Sequence, residues 1–188
     1  MKQAFYDAFM DNPIVAAIKD EEGLEVCIRR NDLQIVFVLY GEVTTIGQIV
    51  DRLKEAGKMV MVHIDLVGGL SGREEAVRFI KAYTKADGII STKPELVRYA
   101  KELGLYTVYR IFVIDSKALK ALEGPATRYA NLVEILPGLM PRIIKKAVAL
   151  TRTPVIAGGL ISEKEDVIQA LDAGAIAISA TNRNVWDM

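Results

Sequence analysis

Eight short apolar runs, separated by longer amphipathic segments, constrain this chain more than any other feature. They are IVAAI (14–18), IVFVLY (35–40), MVMVHID (59–65), GIIST (88–92), YTVYRIFVI (106–114), NLVEIL (131–136), PVIAGG (154–159) and AIAISA (175–180). They are rich in Val and Ile and mostly lack polar alternation. That is the pattern of parallel strands covered on both faces.

The segments between them carry helix signals. TTIGQIVDRLKEAG opens on a threonine cap and stops at Gly57. SGREEAVRFIKAY places Glu74 and Glu75 in a first turn, where acids suit the helix dipole. KPELVRYAKELG begins with Pro94 and closes on Gly104, the usual asymmetry of helix ends. DSKALKALEG reads as a shorter helix, and PGLMPRIIKKAVALTR as one with Pro141 in its first turn. SEKEDVIQALDAG offers Ser162 and Glu165 as a capping box. Between the first two strands, 20–33 predicts at most a stub of helix, and the final RNVWDM one turn. Eight βα units predict an α/β fold, a closed (β/α)8 TIM barrel, in preference to a large open sheet. The barrel is a single domain over 1–188, with its first and last helices shortened. Shortened helices account for a chain below the roughly 250 residues usual for this barrel.

Composition narrows the function classes. Hydrophobic residues reach 51%, which a buried parallel sheet explains, while Lys+Arg and Asp+Glu are both 24 and leave no net charge. The overall field therefore gives no argument for nucleic acid, although a local basic face can still form. A single cysteine, Cys27, excludes an intrachain disulfide and a cysteine metal cluster and fits a reducing cytosol. The start, MKQAFYDAFMDNP, is too polar for a secretory leader, and no apolar run reaches the length of a membrane span. A cytoplasmic protein is expected.

In such a barrel, ligands bind at the carboxyl ends of the strands. The third run ends in the only histidine, His63, followed by Asp65; as strand neighbours i and i+2 they would share the inward face, with Val62 toward the helices. Arg110 and Glu134 are single charges inside apolar runs. They are expected to be balanced across the barrel mouth, Arg110 by Glu134 or Asp65. These four are candidate ligand contacts; the alternative is a structural charge network and a satisfied core histidine. Gly158 and Gly159 directly follow the seventh run and precede a helix, and the eighth ends in ISATN. The loops after strands seven and eight are the usual phosphate site of this fold. Gly158, Gly159, Ser179 and Thr181 are thus expected to hold a small phosphorylated ligand, against the plainer reading of a tight turn. No lysine lies within a strand, Lys93 belongs at the rim, and no acidic cluster calls for a metal.

Taken in order, HIDLVGGL, DGIISTK, YRIFVIDS, VEILPGLMP, PVIAGGLI and ISATNRNVW resemble the glycerol uptake operon antiterminator regulatory proteins, over nearly the whole chain from residue 14 to Trp186. The departures are Tyr109, where the family pattern has glutamine, and Ala130-Asn131, where it has Pro-Asp. The resemblance implies a regulator that binds glycerol 3-phosphate without a cofactor and then acts on the leader of a messenger RNA. His63, Asp65 and Glu134 would in that case hydrogen-bond the glycerol hydroxyls. RNA contacts need Lys and Arg. Arg142, Lys145, Lys146 and Arg152 in and after PRIIKKAVAL are the candidates, with Arg29, Arg30 and Arg128 behind them. The plain alternative is an ordinary solvated helix face, and zero net charge makes RNA binding depend on ligand occupancy or on a homo-oligomer. Two other functions stay open: an enzyme on a phosphorylated three-carbon or sugar-phosphate substrate, and a barrel that binds a metabolite without meeting RNA.

Overall fold

A computed structural model describes residues 2–188, with side chains from Phe5 onward. Eight parallel strands close into a barrel in sequence order: β1 Ile14–Ile18, β2 Ile35–Val38, β3 Met59–His63, β4 Gly88–Ser91, β5 Tyr106–Phe112, β6 Leu132–Leu136, β7 Val155–Gly158 and β8 Ala177–Ala180. Closure is made by β8 on β1, with Ile178 opposite Ile14 and Ser179 opposite Val15. Around the strands lie α2 Glu21–Arg29, α3 Ile46–Glu55, α4 Glu74–Tyr83, α5 Pro94–Glu102, α6 Ser116–Lys120, α7 Pro125–Tyr129, α8 Pro141–Leu150, α9 Lys164–Asp172 and α10 Arg183–Trp186. No helix among the described residues is long and apolar enough to cross a membrane.

The missing polar alternation has a direct cause. Outward strand residues such as Val36, Val60, Val62, Ile89 and Val133 pack under the helices. Inward ones, including Val15, Phe37, Met61, Val108 and Ile156, fill the lumen as a second apolar cluster. That second cluster is completed from below by a helix that the sequence patterns do not announce, α1 Lys2–Asp11. Phe5 and Phe9, four residues apart and so on one face, are fully buried against the barrel floor. The Phe5 ring stacks on Tyr106 at 4.1 Å between centroids.

Three local expectations need correction. The segment after β1 is not a stub: α2 runs nine residues, capped by Asp20, whose carboxylate accepts from the Gly23 N–H at 2.8 Å. Gly23 hides this helix in the sequence. It is there because a Cβ would sit 3.2 Å from the Ile18 side chain. The short helices are α6 and α7, at five residues each, and α10, at four, so only the last matches the expected shortening. The box at α9 is shifted by one: Asp166, not Glu165, accepts from the N–H groups of Ser162 and Glu163, both at 3.0 Å. Thr45 makes no cap bond to α3 and instead closes a turn with Glu42.

Candidate functional site

Continuing the inward alternation one step above the apolar layer gives His63 on β3, Arg110 on β5, Glu134 on β6, Gly158 on β7 and Ser179 on β8. The upper lumen is therefore polar where the lower one is apolar. Its centre is an ion pair: Arg110 Nε donates to Glu134 Oε2 at 2.6 Å, and Ser179 Oγ donates to the other oxygen of the same carboxylate. Glu134 is wholly buried and Arg110 only 7% exposed. Burial at this depth is tolerated because both carboxylate oxygens are satisfied. Of the two partners expected for Arg110, Glu134 is the one it has. Gly158 makes room for this arrangement. A Cβ there would lie 2.5 Å from Ser179 Oγ and 2.6 Å from Glu134 Oε1.

Asp65 is placed differently from the strand argument. β3 stops at His63, and Ile64–Leu66 form a 3-10 turn. The Asp65 carboxylate reaches sideways to the end of β4, accepting from Thr92 N at 2.7 Å, Thr92 Oγ1 at 3.0 Å and Ser91 Oγ at 3.0 Å. It ties two strand ends together. His63 does face inward and is buried, yet among the described residues its Nδ1 has no hydrogen-bond partner, the nearest Asp65 oxygen being 4.0 Å away. Burial, helped by the Arg110 charge, pushes its pKa down to about 4, so the ring is neutral near pH 7.

A cavity of about 390 Å³ opens at the carboxyl ends of the strands. Arg110, Glu134, Gly159, Ser179 and Thr181 all line it; Gly158, His63 and Asp65 do not. The loops after β7 and β8 thus meet over the ion pair, linked by Asn182 Nδ2 donating to Ser162 O at 3.4 Å. Two features give this cavity its chemistry. Among the described residues, no protein acceptor takes the backbone N–H of Gly159 or Leu160 on one loop, or of Thr181 or Asn182 on the other. Nor is there one for the terminal nitrogens of Arg110, whose bond to Glu134 uses Nε. Donors without acceptors surround the space, as an anion requires. The loop that carries the first pair is strained. Gly159 has φ +75° and Leu160, a non-glycine, φ 65°, while its side chain stays 73% exposed. Leu160, Ser162 and Asn182 also line the cavity, and sequence reasoning misses them as site residues. Ser162 reads as a helix cap, and Leu160 carries no polar signal. Larger clefts exist: one of about 710 Å³ beside α7 and α8 lies on the helical flank, and one of about 790 Å³ lies between α2, α3 and the loops after β2 and β3, where Glu21 and Glu42 put carboxylates in its lining.

The basic candidates also separate. Arg29 pairs with Glu25 at 3.3 Å, and Arg30 holds Asp32, Asp187 and the Trp186 carbonyl, so both serve the fold. Arg142, Lys145, Lys146, Arg128 and Arg152 are exposed and hold no carboxylate among the described residues. Among the described residues no three His, Cys, Asp or Glu side chains gather as a metal-binding group.

Fold and site together define a class: a closed (β/α)8 barrel with a small, donor-lined cavity at the carboxyl ends of its strands. The family described as glycerol-3-phosphate responsive antiterminator matches residues 14–186, and the chain belongs to that family. Over 178 residues it is 39% identical to the uncharacterised protein YgcP of Escherichia coli K12, spanning 94% of this chain and 93% of that protein. The crystal structure of the glycerol uptake operon antiterminator regulatory protein from Listeria monocytogenes is similar at a TM-score of 0.87 and 30% identity, covering 94% of this chain and 96% of that one. A glycerol uptake operon antiterminator-related protein from Thermotoga maritima is similar at 0.81 and 34%, covering 93% and 98%. The two departures from the family pattern cause no irregularity. Tyr109 faces the helices as part of the outer core, and Asn131 Oδ1 accepts from Lys101 at 2.9 Å and from the Thr107 backbone at 3.2 Å.

Proposed function

We propose that this chain is a cytosolic regulator that binds glycerol 3-phosphate in the cavity above the Arg110–Glu134 pair and, so loaded, acts on the leader of a messenger RNA as a transcription antiterminator. The phosphate lies between the loops of Gly159 and Thr181, taking their free N–H groups, and the glycerol hydroxyls meet the Arg110 side. Glu134 and Ser179 hold Arg110 in position, and Gly158 gives them room. The unclaimed backbone donors on two adjoining loops carry this reading, because a phosphate presents several acceptors to donors of this kind.

Binding rather than catalysis fits the same residues. Both oxygens of Glu134 are engaged, His63 lies outside the cavity lining, and no strand carries a lysine for Schiff-base chemistry. Titration calorimetry with glycerol 3-phosphate is the first test. Saturable binding without turnover is expected, and Gly159→Asp should weaken it by at least about 100-fold, roughly 2.7 kcal/mol. The new carboxylate would face the phosphate, and its Cβ would press on Leu136 at 3.1 Å. Unchanged affinity in that variant would remove the phosphate from this loop. Gel-shift titration of a glycerol-operon leader transcript, with and without the ligand, tests the regulatory half; no shift under either condition would overturn it.

A further inference from the structure

The 24 basic residues are used unevenly around the barrel. On α2 to α5, Arg29, Arg52, Lys54, Arg78 and Arg98 each hold a carboxylate. From α6 through α9 the chain carries eight Lys and Arg, and none lies within 4.0 Å of a carboxylate among the described residues. The basic side chains of one flank are thus largely neutralised by ion pairs, and those of the other are left unpaired.

We propose that the α7–α8 flank is the surface on which the RNA sugar–phosphate backbone docks, with Arg128 and Arg152 converging on one phosphate-binding cleft. This rests on the RNA-acting reading above and gives it a location. The two arginines come from different elements, one from α7 and one from just beyond α8, yet they line the same cleft of about 710 Å³. Glu123 is the one carboxylate in its lining. The floor is pinned: Thr153 Oγ1 donates to the Thr127 carbonyl at 2.7 Å, and Thr127 Oγ1 to the Gly124 carbonyl at 2.8 Å. Neither guanidinium is ion-paired with Glu123 or any other described carboxylate, so an anion entering the cleft would meet two like charges at once. The helix above the cleft, α8, includes no acid among its ten residues. Along α8, Arg142, Lys145 and Lys146 reach about 15 Å toward the carboxyl ends of the strands, Arg142 and Lys145 doing so in the α8–α9 groove that also holds Asp172. A polyanionic strand along this flank would run from the cleft toward the rim of the ligand cavity.

Fluorescence anisotropy with labelled poly(U) reads the backbone contribution, since binding to phosphates is independent of sequence. Arg128→Ala with Arg152→Ala should weaken binding about tenfold or more at low salt. It should also make the slope of log affinity against log salt shallower by about 1.4, some 0.7 for each phosphate no longer neutralised. Arg128→Lys with Arg152→Lys should keep the slope. Arg52→Ala with Arg78→Ala, on the paired flank, should keep both affinity and slope. Both cleft arginines are exposed, so the thermal midpoint and the affinity for glycerol 3-phosphate should stay as in the wild type. Wild-type affinity and slope in the Arg128/Arg152 alanine variant would overturn this surface while leaving RNA action standing. No binding of poly(U) or leader RNA by the wild-type protein, with or without ligand, would overturn both.

Discussion

The lower and upper halves of the lumen are built by the same eight strands, with the same inward alternation, yet they have opposite chemistry. Below, Phe5 and Phe9 of α1 seal a layer of Val15, Phe37, Met61, Val108 and Ile156. Above, the next inward positions are Arg110, Glu134, Gly158 and Ser179, and donors without acceptors open into a cavity. One strand can pass from the first environment to the second in two residues: Val108 to Arg110, Leu132 to Glu134, Ala177 to Ser179. The difference teaches that the barrel separates an apolar, stabilising layer from a polar, donor-lined one along its axis. The ion pair is where the two requirements meet.

Cutting that junction should have the largest effect. Glu134→Ala removes one partner of a buried pair and leaves the Arg110 guanidinium uncompensated, a loss of about 3–5 kcal/mol in unfolding free energy. It should also lower affinity for glycerol 3-phosphate, since Arg110 loses the group that positions it. Glu134→Gln, which keeps hydrogen-bonding capacity, should lose less of both. Denaturant melts joined with calorimetry measure the two effects. A Glu134→Ala protein as stable as the wild type would mean that the pair is not the junction.

Phe5→Ala sharpens the contrast from the other end. Deleting a fully buried ring costs about 3–5 kcal/mol, so the midpoint should fall steeply. Ligand affinity of the folded fraction should be unchanged, because Phe5 belongs to the floor cluster and not to the cavity. A matching loss of affinity would show that the two halves are coupled.

The sequence makes these halves legible to different degrees. The strand cores can be read almost directly, with IVAAI coinciding with β1, because a strand buried on both faces has few alternatives. The apolar runs overshoot the ends of β2 and β3, since apolar residues such as Leu39 continue into the cavity wall after the ladder stops. The plug helix α1 is hard to see although Phe5 and Phe9 have helical spacing; its apolar face means little until a barrel floor exists to receive it. In the upper half, residue types announce the candidate site: lone charges in apolar runs, and a glycine pair before a helix. Their division of labour is not readable. Gly158 and Gly159 are adjacent, yet one gives room to a carboxylate while the other lines the cavity. Asp65 follows His63 by two, but a 3-10 turn sends its carboxylate to Ser91 and Thr92 instead of the axis.

His63 sits at the boundary and gives a destabilising effect that is absent at neutral pH and that only acidification reveals. Its folded pKa is depressed to about 4 from 6.5, chiefly by burial, because charging the ring costs solvation in the fold but not in the unfolded chain. Below 6.5 the unfolded state takes up a proton that the folded state refuses. Its contribution is therefore fully present above pH 6.5, falls as the pH drops through this window, and is lost below about 4. Between those limits the slope of unfolding free energy should approach that of one proton, about 1.4 kcal/mol per pH unit. His63→Gln cannot titrate there, so subtracting its pH profile from the wild type's isolates the histidine from the carboxylates that also protonate in this range. Parallel profiles for the two proteins would show that His63 carries no such penalty and that water reaches the ring.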